Sequence, residues 1–274
     1  MQTVAIAGVG LIGGSFALAL RKTGFRGRIV GVSSHRTIDE AMRLGVIDEG
    51  ATLERVEAEA DLIYLAQPIL QILEVLERLK PKPGALVTDA GSTKAQIVSK
   101  AHAHLRNCQF VGGHPMAGKE TRGVAAADPD LFRGRNYILT PSDDTPALRW
   151  FRAQVESFGA LVTVLDPDEH DRLVAYTSHL PQILSTVLAN TLAPIAQASR
   201  VAGPALLDMT RIAQSPFDMW HDIFLTNRGP IELALAAFLS RFTETESAFY
   251  RDEFVRAFDE AGKVARGLRR VKDL

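Results

Sequence analysis

Short apolar runs alternate with longer stretches of helical periodicity over the first half of the chain. Residues 3–8 (TVAIAG) read as a buried strand, and residues 11–23 have the composition of a helix. Residues 28–32 and 62–65 are strand-like, and residues 38–44 are helical. Leu70, Leu73 and Leu76 recur at helical spacing within 70–79. Residues 85–88 predict a further strand, 93–103 a helix, and Phe110 with Val111 a short strand. Alternation at this pitch predicts βαβ units and a parallel sheet covered on both faces. Two more strands are expected at 137–140 and 161–165, separated by a helix over 145–158 that Gly159 stops. From Asp166 the pattern changes, and the chain reads as helices up to Leu274. The expected division is an α/β domain over residues 1–166 and an all-α domain over 167–274. Long apolar runs at 183–192 and 231–239 need a partner surface, which predicts a homodimer through the helical domain.

Composition narrows the class. The 31 basic and 32 acidic residues give a formal net charge of −1, without the basic excess that phosphate neutralisation requires, so a nucleic-acid partner is not expected. No uninterrupted apolar run reaches the roughly 18 residues of a membrane span. Glycines 8, 10, 13 and 14 interrupt the first apolar stretch, which argues against a signal peptide. The single cysteine, Cys108, fits a reducing compartment, and a cytoplasmic protein is expected. Cys108 has no basic cluster near it in sequence and reads as inert.

Gly8-Val9-Gly10-Leu11-Ile12-Gly13 matches G-x-G-x-x-G between a strand and a helix, the context in which that motif binds dinucleotides. Gly8 permits the tight turn, Gly10 lets the backbone approach a pyrophosphate, and Gly13 lets helix and strand pack closely. The helix N-terminus then faces the phosphates. This makes the first domain Rossmann-type, with a glycine-loosened turn as the plainer alternative. A chain that binds NAD usually carries Asp or Glu at the end of the second strand. Here Ser33, Ser34, His35 and Arg36 follow Val32, and the first carboxylate is Asp39. Arg36 can pair with a 2′-phosphate, which predicts NADP over NAD. The alternative is a polar loop with Arg36 in solvent. Gln67 and Pro68, after the strand at 62–65, join the expected cofactor contacts.

Three clusters carry candidate chemistry. Asp89-Ala90-Gly91-Ser92-Thr93-Lys94 sits at a strand end, where such sheets bind ligands. Ser92 is a candidate functional residue, although Ser92 or Thr93 could equally cap the next helix. Gly112-Gly113-His114-Pro115-Met116-Ala117-Gly118 falls just past the short strand at 110–111. The glycines are expected to let a ligand come close to His114, which suits a general base. In the helical domain, Arg211 lies among apolar residues and needs an anionic partner, either Asp208 or a substrate carboxylate.

Other histidines read more plainly. His102 and His104 are two apart and are expected at the surface, and no Cys/His cluster has metal-ligand spacing, so no metal is expected. His170 lies in Asp166-Pro167-Asp168-Glu169-His170-Asp171, an acid-rich first helical turn, and is expected to belong to a helix start.

These blocks, together with Ser178-His179-Leu180-Pro181 and Asp208-x-Thr210-Arg211, resemble the prephenate/arogenate dehydrogenase family of tyrosine biosynthesis. The resemblance runs from Val4 to about Asn227. It implies oxidative decarboxylation of prephenate to 4-hydroxyphenylpyruvate with hydride transfer to NADP, or the equivalent reaction of arogenate. By resemblance, His114 would take the proton of the C4 hydroxyl, with Ser92 beside both His114 and the nicotinamide. Arg211 would bind a substrate carboxylate, His179 and Glu120 would line the pocket, and Trp220 would close one side. Gln182 departs from the second histidine that many relatives carry after this block. At this length no chorismate mutase or regulatory domain is expected. A non-catalytic NADP-sensing module remains the rival from another class, supported by the first domain alone.

Overall fold

The computed structural model describes residues 1–141, 143–249 and 251–270. The expectation of helix through Leu274 therefore lies, for residues 271–274, outside the described residues. Eight strands form one sheet: β1 Thr3–Ala7, β2 Arg28–Val32, β3 Glu49–Gly50, β4 Leu62–Leu65, β5 Leu86–Asp89, β6 Gln109–Pro115, β7 Asn136–Thr140 and β8 Leu161–Val164. Their order is β3-β2-β1-β4-β5-β6-β7-β8. The chain builds outward from β1 to β3, then returns to place β4 on the other side of β1. The carboxyl ends of β1 and β4 thus flank the point where strand order reverses, the crevice in which open α/β sheets bind ligands.

The helices between strands are α1 Leu11–Lys22, α2 His35–Arg43, α3 Leu53–Glu59, α4 Ile69–Arg78, α5 Ala95–His104 and α6 Pro146–Ser157. β1 (TVAIA) and β4 (LIYL) are buried at every position, as central strands covered on both faces must be. α4 buries Ile69, Ile72, Val75 and Leu76, one apolar stripe at helical spacing. Phe16 of α1 stacks on Tyr64 of β4, with ring centroids 3.9 Å apart, and holds the first helix on the sheet.

The sheet departs from the sequence expectation in three ways. β6 and β7 pair antiparallel, His114 opposite Ile138, so the sheet is mostly rather than wholly parallel. β6 runs through Pro115, which puts His114 inside a strand instead of just past one. β3 and α3 were not foreseen: β3 has two residues, and α3 (LERVEAE) hides its two buried positions, Leu53 and Val56, among charges.

After β8 the described chain is helical: α7 Pro167–Val174, a π-helical turn Ala175–His179, α8 Leu180–Leu192, α9 Pro204–Thr210, α10 Phe217–Thr226, α11 Arg228–Ser247 and α12 Asp252–Arg270. Contacts gather the chain into two units, Met1–Arg228 and Gly229–Leu274. The change from strands to helices at Asp166 falls inside the first unit, because α7 packs on α5 and α10 on α4. Within the second unit, Phe254 makes edge contacts with Phe249 and Phe258, while Leu233, Phe258 and Leu268 are each about two-thirds exposed. No helix among the described residues is long and apolar enough to cross a membrane.

Candidate active site

The glycine loop leaves β1 and enters α1. Gly8 has φ +93°, and a Cβ there would meet the carbonyl carbon of Ala66 at 2.6 Å. A Cβ on Gly13 would strike the Gly8 carbonyl oxygen and would lie 2.8 Å from the Ile6 side chain, so the helix and strand are in contact there. Gly10 differs: nothing lies within 4 Å of its Cβ position. As N-cap of α1 it also offers no side-chain acceptor to the first-turn N–H groups. That open cradle at a helix N-terminus fits a pyrophosphate.

A cavity of about 500 Å³ extends from Gly8 and Gly10 past Ser33, Ser34, Gln67 and Pro68. The Gln67 Oε1 is buried without a hydrogen-bond partner among the described residues. Ser34 also caps α2, accepting the Thr37 N–H at 3.4 Å. His35 and Arg36 are exposed in the first turn of α2 and line neither this cavity nor the next.

A second cavity, of about 680 Å³, shares Gly10, Ala66 and Gly123 with the first. Leu11 and Ile12 line it, and so do His114, Ser92, Glu120, His179, Arg211 and Trp220. Residues from the segment after β5, from β6, from the π-helical turn and from the α9–α10 region thereby converge beyond the glycine loop.

The floor of this cavity is held by a buried ion pair. Lys94 is fully buried against Asp89, and its ammonium donates to the Gly113 carbonyl at 2.7 Å. Asp89 accepts the Gly113 N–H at 3.1 Å and the Gly91 N–H at 2.8 Å. These bonds tie the residue before His114 to the end of β5. The two glycines before His114 serve packing within the protein: a Cβ on Gly112 would strike Thr140, and one on Gly113 would lie 2.6 Å from the Asp89 carbonyl oxygen. The space they leave is filled by neighbouring strands and not by a ligand, which corrects the expectation from sequence.

His114 is 8% exposed, and its Nδ1 lies 2.8 Å from Nε2 of His170. Burial, together with His170, Lys94 and His179, holds its pKa well below the usual imidazole range. His170 Nδ1 is in turn 2.8 Å from Asp171 Oδ1. Asp171 accepts the N–H groups of Lys94 at 2.7 Å and Ala95 at 2.9 Å, capping α5 from α7. Neither Ser92 nor Thr93 caps that helix, and Thr93 Oγ1 instead bonds Thr226 Oγ1 at 2.8 Å.

The helix start expected around His170 is present, but Asp166 supplies it. Asp166 accepts the N–H groups of Asp168 and Glu169, Pro167 follows, and His170 points into the protein at 1% exposure. His170 and Asp171 line neither cavity but stand directly behind His114, and they form the network that sequence reasoning missed. The available signal was a His-Asp pair one turn into a helix leading to Ser178-His179.

His179 is buried at the end of the π-helical turn, a feature often found at functional sites. Asn227 donates to its Nδ1 at 3.1 Å and to the Asp171 carbonyl at 2.8 Å. Burial lowers the His179 pKa to about 4, against the opposing pull of Asp171. The Trp220 ring meets His179 edge to face at 6.0 Å, and its indole N–H is buried without a partner among the described residues. Arg211 is 63% exposed at the rim, and its carboxylate neighbour within the protein is Glu120 at 3.7 Å instead of the expected Asp208. Solvent weakens such a pair, so Arg211 keeps donors for an incoming anion.

His102 and His104 are exposed, and burial raises the Cys108 thiol pKa, in keeping with an unreactive side chain.

A sheet that reverses at β1 and β4, a glycine loop at the reversal and a histidine-lined cavity beyond it define a dinucleotide-dependent dehydrogenase. The family model for the prephenate dehydrogenase nucleotide-binding domain matches residues 16–164, and that for the prephenate dehydrogenase dimerization domain matches residues 166–260. The prephenate dehydrogenase of Bacillus subtilis is 37% identical over 94% of this chain and 69% of its own length. The crystal structure of prephenate dehydrogenase from Aquifex aeolicus, in complex with hydroxyphenyl propionate and NAD+, is 34% identical with a TM-score of 0.90, covering 98% of both chains. The arogenate dehydrogenase of Synechocystis is 27% identical with a TM-score of 0.81, covering 99% of both. The chain belongs to the prephenate dehydrogenase family.

Proposed function

We propose that the protein converts prephenate to 4-hydroxyphenylpyruvate and CO₂, with NADP as hydride acceptor, as a cytoplasmic step of tyrosine biosynthesis. The observation that carries this reading is the convergence of His114, Ser92, His179 and Arg211 on one cavity that continues into the glycine-loop cleft.

The nicotinamide, when bound, supplies the acceptor for the C4 hydride. His114 is the base. Uncharged because it is buried, it draws the proton of the C4 hydroxyl as the hydride leaves. The ring carboxylate departs as CO₂, its bonding pair completes the aromatic ring, and His114 returns the proton to the phenol oxygen. Hydride and CO₂ leave, and no net proton is released. Ser92 orients the hydroxyl beside His114. Arg211 binds a carboxylate of the substrate at the rim, and His179, whose Nδ1 accepts from Asn227, presents Nε2–H as a neutral donor. Trp220 closes the apolar side. Aromatisation provides the driving force, so the protein's task is orientation and polarisation of the hydroxyl.

Two features support NADP: no carboxylate ends β2, and Ser33 and Ser34 line the cofactor cavity, with the exposed Arg36 next to the lining Thr37; Gln67 and Pro68 border the same cavity and would contact either dinucleotide. Residues 1–166 are read as the dinucleotide domain and 167–274 as the substrate and dimerisation domain, with the two family models meeting at 164 and 166 in support. Exposed Leu233, Phe258 and Leu268 suit burial in a homodimer. A second reading, arogenate as substrate, is favoured by Glu120, an exposed carboxylate on the cavity wall suited to an ammonium group. Prephenate labelled in its ring carboxylate tests the reaction: labelled CO₂ should appear in step with reduced cofactor, and release of neither overturns it.

A further inference from the structure

We infer that His170 and Asp171 are positioning residues for His114: they hold it in the tautomer with Nε2 bare and share the positive charge that develops when it takes a proton. The inference rests on His114 being the base.

The direction of each bond follows from donor counting. The Asp171 carboxylate has no proton to give, and its oxygens already accept the N–H groups of Lys94 and Ala95. His170 Nδ1, 2.8 Å away, must therefore donate to it. A neutral His170 with its one proton on Nδ1 carries a lone pair on Nε2, so the contact at 2.8 Å is His114 Nδ1–H donating to it. That leaves Nε2 of His114 without a proton, as a base requires. Without His170 the two tautomers of a buried imidazole would compete, and the one with Nε2–H cannot accept the substrate proton. A misplaced proton of this kind is costly in enzymes that rely on an oriented imidazole.

The relay is held on several elements. Asp171 is anchored by the α5 N-terminus, and its carbonyl accepts from Asn227. Capping α5 needs only the carboxylate. Nothing in that task calls for an imidazole between Asp171 and His114, yet His170 is 1% exposed and spans the two. The charged and titratable groups around His114 are His170 and Asp171 of α7, Lys94 and Asp89 at the β5–α5 junction, and His179. Asp89 is engaged by Lys94, so Asp171 is the anion to which charge on His114 can be relayed.

Two variants test this. His170→Phe keeps a ring and removes the acceptor, whereas His170→Gln keeps an acceptor for His114 without a ring. Nitrogen-15 shifts of selectively labelled histidine report which nitrogen of His114 carries the proton. They need no substrate, so a wrong substrate assignment would not affect this readout. In the unsubstituted protein Nδ1 should be protonated and Nε2 bare. In His170→Phe the proton should redistribute toward Nε2, and kcat should fall about 100-fold while KM holds within about twofold. In His170→Gln the Nδ1–H tautomer should return, with kcat at least about tenfold above that of the Phe variant. A bare Nδ1 in the unsubstituted protein overturns the inference even if neither variant folds, as does equal kcat in the two variants.

Discussion

Asp171 Oδ1 accepts the backbone N–H of Lys94 at 2.7 Å, across 77 positions of sequence, so the first turn of α5 is capped by α7. The consequence reaches the cavity. A buried ion pair joins the two ends of the segment from Asp89 to Lys94, the cap holds its Lys94 end, and Ser92 sits between the ends on the cavity wall.

Removing that carboxylate should loosen both. Asp171→Ala leaves two helix N–H groups and the His170 Nδ1–H buried without their acceptor. A loss of about 2–4 kcal/mol is expected, read as a lower urea midpoint. A change under about 0.5 kcal/mol would mean that water or another group replaces the cap.

His114 and Arg211 should fail differently. His114→Ala is expected to lower kcat by at least about 100-fold with cofactor binding intact. Arg211→Ala should raise KM about 10- to 100-fold with a smaller change in kcat, because its contact with a carboxylate persists from ground state to transition state. Steady-state kinetics on the two variants separates these roles.

The glycines of the loop should also separate. A Cβ on Gly10 meets nothing within 4 Å, so Gly10→Ala should fold with an unchanged melting temperature and bind cofactor about tenfold or more weakly. A Cβ on Gly13 strikes the Gly8 carbonyl oxygen, so Gly13→Ala should unfold several degrees lower. Calorimetry paired with cofactor titration distinguishes the two.

Ser33→Asp should move cofactor preference toward NAD, since a carboxylate at the end of β2 bonds a ribose 2′-hydroxyl and repels a 2′-phosphate. Unchanged selectivity between NADP and NAD would remove Ser33 from the cofactor contacts.

The buried histidines set the acid limit. The pKa of His179 is lowered to about 4 and that of His114 lies well below 6.5, whereas in the unfolded chain both titrate near 6.5. Below that value the unfolded chain binds more protons than the folded one, so stability is fully present above pH 6.5 and falls as pH approaches 4. For His179 alone the loss is on the order of 3 kcal/mol. Urea midpoints between pH 8 and pH 4 should show the decline, and His179→Gln should flatten it. The acid limb of kcat/KM should lie below 6.5 for the same reason.

Much of this was legible in sequence where the signal was local. The apolar runs of β1 and β4, the glycine loop and the blocks around Ser92, His114, His179 and Arg211 are each contiguous. What was illegible depended on tertiary partners. The capping of α5 lies in α7, and the role of the glycines before His114 is set by Thr140 and Asp89. His170 stood in a helix-start motif that Asp166 and Pro167 already explained, and its partner is 56 positions away. β7 announced a strand but not its direction, because an apolar run reads the same either way.

Oxidation of a cyclohexadienol carboxylate in this cavity is measured by kcat/KM for prephenate and arogenate, each with NADP and NAD. Turnover should be highest for prephenate with NADP. No reduced cofactor from either dienol with either dinucleotide would contradict it.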